Sequence, residues 1–167
     1  NAEHDLEYLD KGLIDFGLLF TEIDSQKYEA IPVPIKDTWG VLMRKDSPLA
    51  EKEVIHPEDL WDKPLIVSHQ KGDDRYLNQW LQREESELHI VATYNLLFNA
   101  SLLVDEGLGY ALCYDKLINT KGSNLCFRPF SPGLEARGFI VWKKYQVFSK
   151  AANIFLQYLQ ELLETEN

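Results

Sequence analysis

The chain is 167 residues long, enough for one domain or two small lobes to bury a core without a disulfide or metal staple. Its content of 45% apolar and 26% charged residues is that of an ordinary globular protein, which excludes general disorder. With 17 basic against 27 acidic residues the net charge is −10, which sets the chain itself against binding phosphate backbones or anionic membrane surfaces.

In chain order, Leu6 and Leu9 place a short helix over residues 4–11, and Gly12 is positioned to end it with a left-handed residue. Residues 13–20 (LIDFGLLF) read as a buried strand. Residues 31–35 (IPVPI) carry two prolines and read as an edge or irregular strand, while 39–43 (WGVLM) read as a regular one. Pro57 suits the first turn of a short helix with Glu58 and Asp59 beside its positive end, and His56 before it reads as a loop or cap residue. Residues 65–68 (LIVS) form the next buried strand. Asp73 or Asp74 is placed to cap a helix carrying Tyr76, Leu77, Trp80 and Leu81 on one face. A strand over 88–93 follows, then a helix from Asn95 to Asp105 closed by Gly107, and a strand over 110–114. Residues 125–130 and 138–142 flank a turn at Ser131-Pro132-Gly133. The last helix starts at Ser149 with a broad apolar stripe of Ala151, Ile154, Phe155, Tyr158, Leu159 and Leu162. Strands alternating with helices predict an α/β fold with a largely parallel sheet.

The residues offer little reaction chemistry. The four histidines, His4, His56, His69 and His89, share no metal-ligand spacing with one another or with Cys113 and Cys126, so neither a metal nor a cofactor is expected. The cysteines lie in apolar runs and read as buried free thiols. The chain has no nucleophile elbow and no phosphate loop, and Gly107-Leu108-Gly109 stands after a helix rather than before one, the reverse of a dinucleotide fingerprint. Asp73 with Asp74 and Glu84 with Glu85 are neighbours pointing about 100° apart on a helix, poorly placed for a shared substrate. No catalytic residue is assigned, and the chain is expected not to be an enzyme. No apolar run approaches the roughly 20 residues of a membrane span, and no signal peptide opens the chain.

Two polar segments stand at strand ends, where open α/β sheets bind ligands. Ser68-His69-Gln70 follows one strand, as a polar loop or a binding loop. Thr93-Tyr94-Asn95-Leu96 ends the next and opens a helix, whose free N–H groups favour an anion; Asn95 serves there as a cap or as a ligand contact.

Four stretches, in this order, resemble the effector-sensing domain of LysR-type transcriptional regulators: Leu9-Asp10-Lys11-Gly12-Leu13-Ile14-Asp15-Phe16-Gly17-Leu18; the strand from Val41 to Met43 with the loop Asp46-Ser47-Pro48-Leu49-Ala50; Pro57-Glu58-Asp59-Leu60 with Lys63-Pro64-Leu65-Ile66; and Leu103-Val104-Asp105-Glu106-Gly107-Leu108-Gly109-Tyr110-Ala111-Leu112. Tyr114 and Asp115 depart from the Leu-Pro with which family members often end that last strand. The resemblance implies a two-lobed fold like the type 2 periplasmic binding proteins, with a ligand cleft between lobes joined by two crossing strands. Lobe I would comprise about 1–53 and 127–167, lobe II about 54–126. The winged helix-turn-helix and linker helix of family members, and the opening strand–helix–strand of lobe I, are expected to lie outside this chain.

The expected function is therefore that of a cytoplasmic module that senses a small molecule, a carboxylate or other anion, and controls DNA binding by an N-terminal domain. The longer protein is expected to be a homodimer or homo-oligomer. The effector is expected to touch Ser68, His69, Gln70, Thr93, Tyr94, Asn95 and Leu96 in lobe II, with Thr21 and Glu22 on the opposite wall. The competing expectation, on the same fold, is a solute-binding protein of a transport system.

Overall fold

A computed structural model describes residues 2–20, 23–69 and 73–165. In chain order the elements are α1 (Ala2–Asp10), β1 (Gly17–Leu19), β2 (Tyr28–Arg44), β3 (Leu65–Ser68), α2 (Asp73–Leu81), β4 (Ile90–Tyr94), α3 (Leu97–Asp105), β5 (Tyr110–Tyr114), β6 (Leu125–Pro129), β7 (Glu135–Lys143) and α4 (Lys150–Thr165). Short 3-10 turns stand at Pro48–Glu51, Pro57–Asp59 and Glu85–Glu87.

Two compact units divide the chain, residues 1–36 with 137–167, and residues 37–136. The division falls at 36/37 and 136/137. The reason lies in strand pairing: residues 39–44 of β2 are laddered to β5 and β6, and so belong with them.

In the first unit β1 pairs antiparallel with β7, Gly17 opposite Val141 and Leu19 opposite Phe139. Leu9, Leu19, Tyr28 and Val141 form its buried centre. The expected eight-residue strand over 13–20 is only three residues long. Gly12 at φ +67° turns the chain, Leu13 is left exposed, and Asp15 accepts a hydrogen bond from Gln146 Nε2 at 2.7 Å. Phe16 joins an aromatic group instead, 5.1 Å from Phe148 and 5.0 Å from Phe155 between ring centroids. The proline stretch 31–35 and the strand 39–43 are one continuous strand. β7 runs beside the earlier part, where a Cβ on Gly138 would meet Val33, and the β5 and β6 ladders begin only at residue 39. Prolines on an unladdered strand side forgo no hydrogen bond.

The second unit carries strands in the order β6-β2-β5-β3-β4. Among the described strands of this unit, β5, β3 and β4 run parallel to one another while β2 pairs antiparallel with β5 and β6, less than the largely parallel sheet expected; α2 and α3 provide the crossovers that parallel neighbours need. Alternation along the strands sorts the core onto two faces. Val41, Met43, Leu65 and Leu112 meet Leu77, Trp80 and Leu81 of α2 on one side. Leu42, Ile66, Ala111 and Cys113 meet Leu97, Ala100 and Val104 of α3 on the other. Trp80 stacks on Phe130 with ring centroids 3.8 Å apart and donates from Nε1 to the Pro132 carbonyl at 2.6 Å.

Cys113 and Cys126 are both free and buried, as their apolar settings implied. Burial pushes the Cys113 thiol up to about 12 and raises that of Cys126 as well. Because the thiolate is the reactive form, neither cysteine is expected to react with a thiol reagent at pH 8 until the chain unfolds. Stoichiometric labelling of the native chain within minutes would contradict this.

Candidate functional site

The candidate site stands on the second unit, at the carboxyl ends of β3 and β4. Parallel pairing places Ser68 beside Tyr94, and the His69 N–H donates to the Tyr94 carbonyl at 2.9 Å, so both strand ends stop at one level. Immediately beyond them lies an open pocket of about 390 Å³ lined by His69, Thr93, Tyr94, Asn95, Asn99, Ala100 and Leu103.

Four of the expected contacts, His69, Thr93, Tyr94 and Asn95, therefore share one small volume. Tyr94 does so without its hydroxyl, which donates to the Leu112 carbonyl at 2.8 Å and ties the ring to β5. Ser68 sits half-buried behind the rim and Leu96 points into solvent, so neither lines the pocket. Thr21, Glu22 and Gln70 lie outside the described residues, as do the side chains of Asp73 and Asp74 at the start of α2. Asn99 and Leu103 line the pocket without having been anticipated. Their four-residue spacing puts them on one face of α3, a phase that depends on where the helix begins.

That start differs from expectation. Leu96, extended at φ −119° and ψ 121°, occupies the N-cap of α3; Asn95 lies one residue earlier in a bend and does not cap. The helix begins with no side-chain cap and no acidic residue in its first turn. Its opposite end is matched. The Arg44 guanidinium donates from Nη1 to the Asp105 carbonyl at 2.7 Å, where the helix dipole is negative. Gly107, at φ +78°, and Leu108 return their N–H groups to the Val104 and Leu103 carbonyls, a Schellman closure. So α3 has its cation at the carboxyl end, and among the described residues its amino end carries no side-chain cap and no acidic residue in the first turn, beside Asn95 and Asn99 of the pocket lining.

A second hollow of about 330 Å³ lies at the other end of the parallel strands, beside Arg44, Ser47, Lys63, Gly107 and Tyr110. Its strongest cation is engaged: Arg44 donates to Asp46 through Nε at 2.8 Å and Nη2 at 2.7 Å, and this hydrogen bonding holds the Asp46 carboxyl below its usual range. Ser47 Oγ and Tyr110 Oη are bonded to each other at 2.9 Å. Among the described residues no group of three His, Cys, Asp or Glu side chains is arranged to hold a metal ion, and no helix is long and apolar enough to cross a membrane.

Comparison with known proteins adds the following. Residues 1–164 match the family model for the LysR substrate binding domain. A curated relative, the uncharacterized HTH-type transcriptional regulator YvbU of Bacillus subtilis (strain 168), is 24% identical over 162 residues, 96% of this chain and 54% of the relative. The fold is similar to that of HinK, a LysR family transcriptional regulator from Pseudomonas aeruginosa, with a TM-score of 0.78 at 17% identity over 98% of this chain and 58% of that one. It is equally similar to the CcmR regulatory domain of Synechocystis PCC6803 solved in complex with 2-PG, with a TM-score of 0.78 at 18% identity over 97% of this chain and 79% of that one. The chain thus spans about half the length of the curated relative it matches.

Proposed function

The chain belongs to the LysR substrate-binding domain family, and from that premise we propose that it senses a small anionic effector at the pocket beyond β3 and β4 and thereby sets the DNA binding of a longer regulator. The observation that carries the site is the amino end of α3. Uncapped and without an acidic residue in its first turn, it stands between Asn95 and Asn99, which line the pocket together with His69 and Thr93. Unpaired N–H groups and the dipole's positive end favour a negative group by about 0.3–1 kcal/mol, more when partly buried. Amide and hydroxyl side chains then orient the rest of the ligand. The ligand of the CcmR regulatory domain supports the same class of effector for this chain.

In this proposal DNA is read by a winged helix-turn-helix outside the 167 residues, because the net charge of −10 opposes contact by the chain itself. The longer protein works in the cytoplasm as a homodimer or homo-oligomer, since a two-fold arrangement presents two reading heads to successive half-sites. Effector binding acts by differential affinity for two conformations, not by catalysis. A transport role on the same fold is not favoured, because the matched family and its structural relatives are regulators.

The test is a thermal-shift screen of small carboxylates and phosphates with this chain. A true effector at about 100 times its dissociation constant stabilises the fold by roughly 2.7 kcal/mol. For a chain of this size that is a rise in melting temperature of about 5–10 °C. A screen in which only neutral or cationic compounds stabilise the chain would overturn the anionic reading.

A further inference from the structure

The second hollow, at the opposite end of the parallel strands, exists because two residues there carry no side chain. Gly107 sits at φ +78°, and a Cβ on Gly109 would stand 2.5 Å from the Pro64 carbonyl oxygen. The Tyr110 N–H donates to that same carbonyl at 2.9 Å, so the close approach is fixed by the sheet. The space left is about 330 Å³, lined by Pro64, Val104 and Tyr110 beside Arg44, Ser47 and Lys63. An apolar cavity of about 150 Å³ already admits benzene, so a substituted ring fits by volume.

We propose that this hollow is a second binding site, for a small neutral aromatic molecule that carries a carbonyl acceptor. Three observations select that class. The first is charge. Both cations that line the hollow are matched, Arg44 by Asp46 at 2.7 Å and Lys63 by Asp62 at 2.6 Å, so no anion is called for. The second is the guanidinium of Arg44. Its Nε, Nη1 and Nη2 each spend a proton in the guanidinium plane, on Asp46 and on the Asp105 carbonyl. What a group so held still offers is its flat face, and guanidinium faces stack on aromatic rings. The third is a proton left over. Ser47 Oγ and Tyr110 Oη, both half-buried, are 2.9 Å apart and share one hydrogen bond, whichever of them donates. Two hydroxyls hold two protons and that bond uses one, while Ser47 Oγ also accepts from the Leu49 N–H at 3.3 Å. One hydroxyl proton therefore remains to meet an acceptor, and a half-buried donor gains by being satisfied. The hollow shares no lining residue with the effector pocket and takes a different class of ligand, so either assignment can fail without the other.

Benzamide is the probe, with cyclohexanecarboxamide as the same acceptor on a ring without a π face. Each is titrated into the isotopically labelled chain and followed by amide chemical shifts. Benzamide is expected to move the amides of Ser47, Gly107, Gly109 and Tyr110 together, saturating with a dissociation constant on the order of a millimolar, as suits so small a ligand. Cyclohexanecarboxamide should bind about fivefold more weakly at the same amides. Arg44→Lys keeps the charge and loses the flat face, and should bring benzamide down to the level of cyclohexanecarboxamide. Ser47→Ala and Tyr110→Phe each leave one hydroxyl proton and should cost less than about threefold; the double variant removes both and should cost about tenfold. Unliganded spectra with the parent's dispersion certify that a variant is folded, and the comparison of the two carboxamides on the parent chain stands without any variant. No saturable shift up to roughly 30 times that constant overturns the proposal. So do equal binding of the two carboxamides, a double variant that binds like the parent, or shifts centred on His69 and Thr93 to Asn99. Benzoate binding more tightly than benzamide at the same amides would make the site anionic, and would overturn it as well.

Discussion

Gly40→Val is expected to leave no folded chain at 25 °C, and Gly40→Ala to be severely destabilised. Gly40 lies in β2 between Cys113 of β5 and Pro129 of β6. A Cβ built there would stand 2.3 Å from the Arg128 carbonyl oxygen and 2.3 Å from Cζ of Phe127. Phe127 could swing aside, but the carbonyl is main chain in the neighbouring strand. β6 would have to retreat, disturbing the ladder that continues to Arg44–Leu125 and the buried residues Leu125 and Cys126 on both faces. Close-packed interiors do not absorb such a shift. The expected loss exceeds about 4 kcal/mol, against a total stability of roughly 5–15 kcal/mol for a domain. Gly133 is the control, because a Cβ there meets nothing within 4 Å and its φ is not left-handed; Gly133→Ala should fall within about 0.5 kcal/mol of the parent. Urea titration followed by circular dichroism gives both values. A Gly40→Ala chain within 1 kcal/mol of the parent would show that the β2–β6 contact is not as close as described.

The second large effect is on binding. Asn95→Leu is expected to weaken the effector about 10- to 100-fold, the cost of removing a ligand hydrogen bond and leaving the ligand's polar group unmatched. Its unliganded melting point should stay close to the parent's, because Leu96 rather than Asn95 stands at the N-cap and the Asn95 side chain is exposed. Had Asn95 capped the helix, the same substitution would cost about 1 kcal/mol of stability. Tyr94→Phe should show the opposite pattern. It deletes the hydrogen bond to the Leu112 carbonyl, costing about 1 kcal/mol of stability, and leaves the effector constant nearly unchanged. Calorimetric titration and thermal melts of both variants separate the two roles. Equal effects of the two substitutions on binding would mean that the Tyr94 ring, and not the Asn95 amide, dominates the contact.

How far these roles were legible in the sequence depends on what each required. Elements with a local signal were readable. Ser149 accepts from the Ala152 N–H at 3.1 Å and starts α4 one residue later, and Gly12 and Gly107 take the left-handed conformations that end their helices. The rim of the candidate site was readable for the same kind of reason, since polar residues directly after buried strands face whatever lies beyond the sheet. The continuity of β2 was not readable, because it depends on which side of Pro32 and Pro34 a ladder forms, and that is decided by β7 about a hundred residues later. Nor was Asn99, whose place follows from a helix start two residues beyond the residue type that signalled it. The apolar stripe of α4 was visible as a pattern, but periodicity says only that a face needs covering. Whether it is covered, and by what, is a tertiary fact.

The most direct test of the sensing site is a titration of the isotopically labelled chain with the best anionic compound from the thermal screen, followed by amide chemical shifts. The largest changes are expected at the His69 amide, at Thr93 to Asn95 and through the first turn of α3 to Asn99, saturating with one constant and disappearing together in Asn95→Leu. Changes centred instead on Arg44, Ser47, Lys63 and Gly107, at the opposite end of the parallel strands, would contradict the assignment.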